Sequence, residues 1–111
     1  MLKTSTKAGL IEPADSANMT EVRAGVDAVD RELIELLGRR FAYMDAAARI
    51  KTERNTVRDE TRKAQVISNA QAAAREAGIP VDAIATIWDL LVEASIDYEL
   101  KAWDRLNANP A

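Results

Sequence analysis

Two cationic side chains interrupt an otherwise apolar helix face. Apolar residues recur every three or four positions in the first half of the chain: Val22, Val26, Val29, Leu33 and Leu36/Leu37. Continued in the same steps, this stripe reaches Arg40 and then Lys51. Eleven residues make about three turns, so the two cations share a face about 16 Å apart. Because unpaired charges are costly on an apolar face, a bound anion would give both cations a partner.

Each cation alone also has an ordinary structural explanation. Arg40 could pair with a neighbouring carboxylate, and Lys51 could extend into solvent at the end of the helix. Two cations on one stripe favour anion binding more than either does alone. Both interpretations stay open at this point.

Other residues further along the chain suit the same chemistry. Arg62 lies near the start of a second predicted helix, where anions are favoured, unless it forms a surface ion pair with Asp59 or Glu60. Ser95 and Glu99 lie one turn apart on a mostly apolar face of a third predicted helix. The structural alternative for Glu99 is a salt bridge to an arginine.

Arg23 follows Val22 and lies about 100° away from the apolar stripe. It either pairs with Asp27 one turn further on or reaches the pocket of a neighbouring chain in a dimer. The larger aromatic residues are interpreted as core or rim residues rather than a stacking surface: Tyr43, Trp88, Tyr98 and Trp103.

The composition excludes several classes of chemistry. The 111 residues include no Cys and no His, which removes thiol nucleophiles, disulfides, most zinc and haem sites, and the usual general base. We therefore expect no metal and no cofactor, and a reaction that depends on positioning and electrostatics. The net charge of −3 and the pI near 5.0 argue against nucleic-acid binding.

The sequence has no apolar run long enough for a membrane span, and its N-terminal residues lack the apolar core of a signal peptide. We therefore expect a cytoplasmic protein that does not bind membranes. Residues 1–18 are interpreted as a disordered tail and residues 19–107 as one small helical domain.

The periodicity predicts an all-α chain of three helices. Asn18 and Glu21 resemble a capping box at the start of a first helix over residues 20–53. A second helix is predicted from a cap at Thr56 to residue 77, with Gly78 as its stop, and a third over residues 81–106. No segment alternates with period two, so no strand is predicted.

The length of the first helix predicts an intertwined homodimer. A helix of about 33 residues is about 50 Å long, whereas a compact domain of this size has a radius of gyration of only about 13 Å. Two shorter helices of the same chain cannot cover the whole apolar stripe of the first helix. A second copy of the chain is the simplest way to bury the rest of that stripe.

The segments "EVRAGVDAVDRELIELLGRRFAYMDAAARIK" and "VRDETRK" resemble the all-helical chorismate mutase family, which includes isochorismate-pyruvate lyases. The resemblance covers roughly residues 19–105. It rests on the series Arg, Asp-x-x-Asp, Leu-Leu-x-x-Arg, Lys and Arg taken as a set. The family fold is an intertwined dimer of three-helix chains, which agrees with the length of the first helix.

The resemblance implies roles for the cationic residues. Arg40 matches the arginine that holds one substrate carboxylate, and Arg23 matches the arginine that the partner chain contributes to the other. Lys51 matches the lysine that contacts the ether oxygen of the breaking C–O bond and a nearby carboxylate. Arg62 matches the arginine near the start of the second helix.

The resemblance also implies roles for three other residues. Asp59 matches the carboxylate that binds the ring hydroxyl of the substrate, and Ser95 aligns with a position in the pocket. Glu99 stands where bacterial members commonly have a glutamine that donates to the ether oxygen, and fungal members use glutamate. Because Glu99 donates a hydrogen bond only when protonated, we expect activity to fall as the pH rises.

The implied activity is chorismate mutase: the pericyclic rearrangement of chorismate to prephenate, in aromatic amino-acid biosynthesis. It needs no nucleophile, base or metal, which agrees with the absence of His and Cys. Two alternatives remain. One is an isochorismate-pyruvate lyase that forms salicylate and pyruvate in the same pocket. The other is a helical dimerisation module without catalytic activity.

Overall fold

The computed structural model describes residues 9–108, so residues 1–8 of the predicted tail lie outside the described residues. This part of the chain is helical and contains no strand, as predicted. The elements, in chain order, are a 3₁₀ helix Pro13–Asp15, α1 Met19–Ile50, a 3₁₀ helix Arg54–Thr56, α2 Glu60–Ala77 and α3 Val81–Leu106. None of these helices is long and apolar enough to cross a membrane.

The start of α1 follows the predicted capping box. Asn18 is the cap: its side-chain oxygen accepts a hydrogen bond from the backbone N–H of Glu21 at 3.0 Å. The Glu21 carboxylate in turn accepts from the backbone N–H of Ala17 at 2.9 Å. The first bond satisfies a donor that the first turn of a helix leaves without a partner, and the second ties the residue before the cap to that turn. The helix ends at Ile50, three residues before the predicted end.

The predicted cap of α2 at Thr56 is wrong. Asp59 is the cap, and its carboxylate accepts from the backbone N–H of Arg62 at 3.0 Å. The Thr56 hydroxyl instead donates to the carbonyl of Glu53 at 2.7 Å within the preceding 3₁₀ helix. Thr and Asp are both good cap residues, so sequence alone did not decide between them.

The end of α2 is the predicted one. Gly78 adopts the left-handed conformation, with φ of 72°, and its N–H reaches the carbonyls of Ala74 and Arg75. The N–H of Ile79 also donates to the carbonyl of Ala74 at 3.0 Å, which completes a Schellman motif. This tight turn lets α3 begin at Val81, directly after Pro80.

The chain divides into two compact units, Met1–Arg40 and Phe41–Ala111. In the first unit, residues 10–16 and the first turns of α1 line a pocket of about 520 Å³. Its lining is largely aliphatic and includes Leu10, Val22 and Val26.

The core of the second unit lies between α2 and α3. Its buried residues are Val57, Val92 and Ile96, and three partly buried apolar residues pack against them: Val66, Leu100 and Trp103. Val57 comes from the connection between α1 and α2, so this connection is anchored to α3 by apolar burial.

The last turns of α1 contact α3 within the second unit. The Tyr98 hydroxyl donates to the Asp45 carboxylate at 2.9 Å, and its ring lies 4.9 Å from that of Phe41, at an angle of 51°. The hydrogen bond to Asp45 raises the pKa of Tyr98. These contacts fix the end of α1, and with it the residue that follows, Lys51.

A cluster of charged residues connects α2 and its start to α3. Arg58 donates two hydrogen bonds to the Glu93 carboxylate at 2.9 and 3.0 Å and one to Glu60 at 2.9 Å. Lys63 contacts Glu93 at 2.9 Å and Asp89 at 3.0 Å. The hydrogen bonds from Arg58, and then from Lys63, lower the pKa of Glu93 from 4.5 to about 2.

This lowered pKa predicts a loss of stability in acid. Glu93 stabilises the folded chain fully above the pKa of the unfolded chain, and the contribution is lost as the pH falls through about 2. Glu93→Gln should therefore flatten the decrease in unfolding free energy between pH 5 and pH 2, measured by urea denaturation. Arg58→Met, which removes the main partner, should flatten it similarly. An unchanged slope in both variants would contradict this role for the cluster.

Candidate active site

Two polar residues are buried on one side of α3. Ser95 and Glu99 are each only 4% exposed and lie one helical turn apart. The Ser95 hydroxyl donates to the carbonyl of Leu91 at 2.7 Å, within α3. The Glu99 carboxylate accepts a hydrogen bond from the Lys51 ammonium at 2.8 Å. The predicted Lys51 and Glu99 are therefore brought into direct contact across 48 residues of sequence.

Lys51 is held at the end of α1 by its backbone as well as its side chain. Its N–H donates to the carbonyl of Ala47 at 2.9 Å, which continues the helical pattern by one residue. Its carbonyl accepts from the indole N–H of Trp103 at 3.0 Å. Lys51 therefore contacts α3 at two points, because Glu99 binds the ammonium and Trp103 binds the carbonyl.

The ion pair is exposed on the lysine side only. The Glu99 side chain is 5% exposed, whereas that of Lys51 is 30% exposed. An ammonium has three N–H donors, so donation to Glu99 leaves donors for a further acceptor. An anionic or ether oxygen arriving from solvent would reach Lys51 before it reached Glu99.

The contact bears on the structural alternatives for both residues. Glu99 forms a salt bridge with Lys51. The Lys51 ammonium does not simply extend into solvent, because it is paired with a buried carboxylate. Removing one partner of such a pair leaves the other desolvated and uncompensated, which makes the pair costly to break.

Arg62 and Asp59 make local contacts at the start of α2. Asp59 caps the helix, and the Arg62 guanidinium donates to the side chain of Gln65 at 2.7 Å. Both residues are exposed, and neither hydrogen-bonds to Lys51 or Glu99. Their roles in binding a substrate stay predictions.

Arg23 and Arg40 belong to the first unit, on α1. Arg23 is exposed and Arg40 is half-buried. Their proposed contacts with substrate carboxylates stay predictions.

Comparison with known proteins identifies the family. The sequence pattern of chorismate mutase type II matches residues 22–100, a range that includes all seven predicted site residues. The chain belongs to the chorismate mutase type II family. The resemblance stated from the sequence is thereby confirmed.

One relative of this chorismate mutase family protein is an isochorismate pyruvate lyase from Pseudomonas aeruginosa. The two are 24% identical over 91 residues, which cover 82% of this chain and 90% of the relative. Family membership supports a function of the chorismate mutase type. At 24% identity, the similarity to a lyase does not decide between chorismate mutase activity and isochorismate pyruvate lyase activity.

Sequence reasoning missed the contact that Trp103 makes in this family member. Trp103 was interpreted only as a core or rim residue, and the structure shows that it also binds the carbonyl of Lys51. One signal was present: Ser95, Glu99 and Trp103 recur every four residues and therefore lie along one side of α3. A tryptophan on the same side of the helix as two buried polar residues is expected to have a hydrogen-bond partner for its indole N–H.

Proposed function

We propose that this protein is a chorismate mutase that converts chorismate to prephenate. The observation that carries the proposal is the buried Glu99 carboxylate paired with the partly exposed Lys51, in a chain of the chorismate mutase family. If the pair served only to stabilise the fold, Lys51 would not need to remain accessible to solvent on a mostly apolar face.

The reaction makes few chemical demands on the protein. In one concerted step the ether C–O bond of chorismate breaks while a C–C bond forms, and no proton, metal or nucleophile takes part. Negative charge grows on the ether oxygen as its bond lengthens. Lys51 donates to this oxygen, and because the site is already organised it stabilises the transition state more than the bound substrate.

Arg40 and Arg23 bind the two substrate carboxylates in this proposal. A guanidinium forms two parallel hydrogen bonds with a carboxylate, which fixes orientation as well as position. Holding both carboxylates restricts the flexible substrate to its reactive conformation, and this restriction lowers the barrier. Asp59 binds the ring hydroxyl, while Arg62 and Ser95 complete the pocket.

The proposed mutase is a homodimer in which each chain contributes Arg23 to the active site of its partner. The apolar stripe of α1 is exposed in the single chain: Val22 is 38% exposed, Val26 52%, Val29 54%, Leu33 50% and Leu36 56%. Contiguous exposed apolar surface of this kind is typical of an interface. A second copy of α1 offers the same apolar pattern in return.

Mixing two inactive variants tests the dimer. Arg23→Ala and Lys51→Ala should each be inactive as homodimers, since each lacks one part of every site. In the mixed dimer one site carries both changes and the other carries neither, so activity should return after the chains exchange. A chain that sediments at its monomer mass of 12.2 kDa, or a mixture without activity, would contradict the arrangement.

A second candidate function is favoured by the relative from Pseudomonas aeruginosa. Isochorismate can lose pyruvate by a pericyclic elimination that calls for the same carboxylate contacts and the same donor to the ether oxygen. The lyase would therefore use the same Lys51 and arginines, and would leave salicylate as the second product.

Thermal unfolding with a bound inhibitor separates a catalytic pocket from a dimerisation module. A bicyclic dicarboxylate that resembles the transition state should raise the Tm of the protein, since a ligand that binds only the folded state stabilises it. Lys51→Ala should lose most of that shift. A module without a pocket would show no shift in either protein.

A further inference from the structure

We propose that Trp103 is a positioning residue for the reaction: its indole N–H fixes the backbone of Lys51 and thereby places the ammonium. This inference rests on the proposed function, since it names a residue that acts through Lys51. The starting observation is the hydrogen bond from the indole N–H to the Lys51 carbonyl at 3.0 Å.

Lys51 occupies a place in the chain where its backbone needs an external partner. α1 ends at Ile50, so the carbonyl of Lys51 has no N–H one turn later in a continuing helix. The last turn of a helix frays when such carbonyls are left to solvent. The indole N–H supplies the missing donor from α3.

The tryptophan is itself held firmly. Its ring packs against the buried cluster of Val57, Val92 and Ile96, so the direction of the N–H is set by the core of the second unit. Trp103 lies one turn after Glu99 on α3. The carbonyl and the ammonium of Lys51 are therefore bound by two side chains with a fixed spacing.

The next residue on α3 holds the segment that follows Lys51. The Asp104 carboxylate accepts two hydrogen bonds from Arg54, at 2.8 and 3.1 Å. Arg54 lowers the pKa of Asp104 through these bonds. Both side chains are about half exposed, at 54% and 50%. Because solvent weakens an exposed ion pair, this pair fixes the segment less firmly than the hydrogen bond of the partly buried indole fixes Lys51.

Fixing the backbone of Lys51 matters because its side chain is long. A lysine has four rotatable side-chain bonds and a compact charge, and a displacement of its Cα carries the ammonium with it. A shift of about 1 Å in a catalytic group can cost a hundredfold in rate. The indole bond limits that shift without touching the substrate.

The test compares Trp103→Phe with Trp88→Phe. Both change a half-buried tryptophan of α3 to phenylalanine, and the two sites lie about 22 Å apart along the helix. Trp103→Phe should lower kcat by about tenfold or more while KM changes little, because Lys51 acts on the transition state. Trp88→Phe should keep the wild-type kcat. A kcat for Trp103→Phe within about twofold of wild type would overturn the proposal, even with a lower Tm.

Hydrogen exchange supplies a readout that does not depend on activity. In Trp103→Phe the backbone N–H of Lys51 should exchange faster, while the N–H of Lys63, bonded to the Asp59 carbonyl at 2.9 Å, should be unaffected. Equal exchange of the Lys51 N–H in wild type and variant would overturn the positioning role. If the wild type converts neither chorismate nor isochorismate, the proposed function fails and the catalytic role of Trp103 fails with it. The exchange result then still decides whether Trp103 fixes Lys51.

A variant of Trp88 covers the case in which Trp103→Phe does not fold. In Trp88→Phe the one remaining indole belongs to Trp103, so its N–H signal is identified without further assignment. That N–H should exchange much more slowly than the indole of free tryptophan. Exchange as fast as in the free amino acid would overturn the proposal.

Discussion

Lys51→Ala is expected to lower kcat/KM by about a thousandfold, the upper range for removing one preorganised donor from a developing oxyanion. The structure places the Lys51 ammonium against Glu99, a buried carboxylate of the predicted site. In the proposed reaction, Lys51 stabilises the negative charge that grows on the ether oxygen. Steady-state kinetics with chorismate give the measurement.

The control for this loss is another lysine of the second unit. Lys101 is 70% exposed and pairs with Asp97 on the surface of α3, so Lys101→Ala should retain full activity. Lys51→Ala also leaves Glu99 buried without its cation, which should lower the unfolding free energy by about 2 kcal/mol. The double variant Lys51→Ala/Glu99→Gln should regain stability but remain inactive. Activity in that folded double variant would contradict the role of Lys51.

Arg40→Ala is expected to lower kcat/KM by about a hundredfold or more, because in the proposed site the substrate would lose a bidentate contact that restricts its conformation. KM should rise and kcat should fall together, since the role proposed for Arg40 is both to bind the substrate and to hold it in the reactive form. The measurement is a full set of kinetics for chorismate, with the Tm recorded to confirm folding.

Arg39 provides a matched control for Arg40. It is the preceding residue on α1, is exposed, and lies about 100° around the helix. Arg39→Ala should leave both kinetic constants close to wild type. Equal losses in the two variants would mean that the general positive charge of this segment, rather than one arginine, supports activity.

Local signals in the sequence predicted most of the helical architecture. Asn18 with Glu21, and Gly78 before Pro80, mark boundaries through bonds made within a few residues, and these boundaries were confirmed. The predicted start of α2 was wrong because Thr56 and Asp59 are both residues that can cap a helix. The choice depends on the burial of Val57 between them, which is a tertiary effect.

The sequence indicated the residues of the candidate site but not the contacts between them. Apolar periodicity and the family resemblance singled out Lys51 and Glu99, yet neither indicated that they bind each other across 48 residues. The same holds for Trp103 and the carbonyl of Lys51, 52 residues apart. Such contacts depend on how α3 packs against the end of α1, which no spacing within one helix reveals.

The central claim is tested most directly by giving the purified protein chorismate and isochorismate in separate reactions. Prephenate is followed in the first reaction and salicylate in the second. The account predicts efficient formation of prephenate. Dominant formation of salicylate would contradict the mutase assignment and favour the lyase with the same residues. No turnover of either substrate would contradict a catalytic role for the Lys51–Glu99 pair.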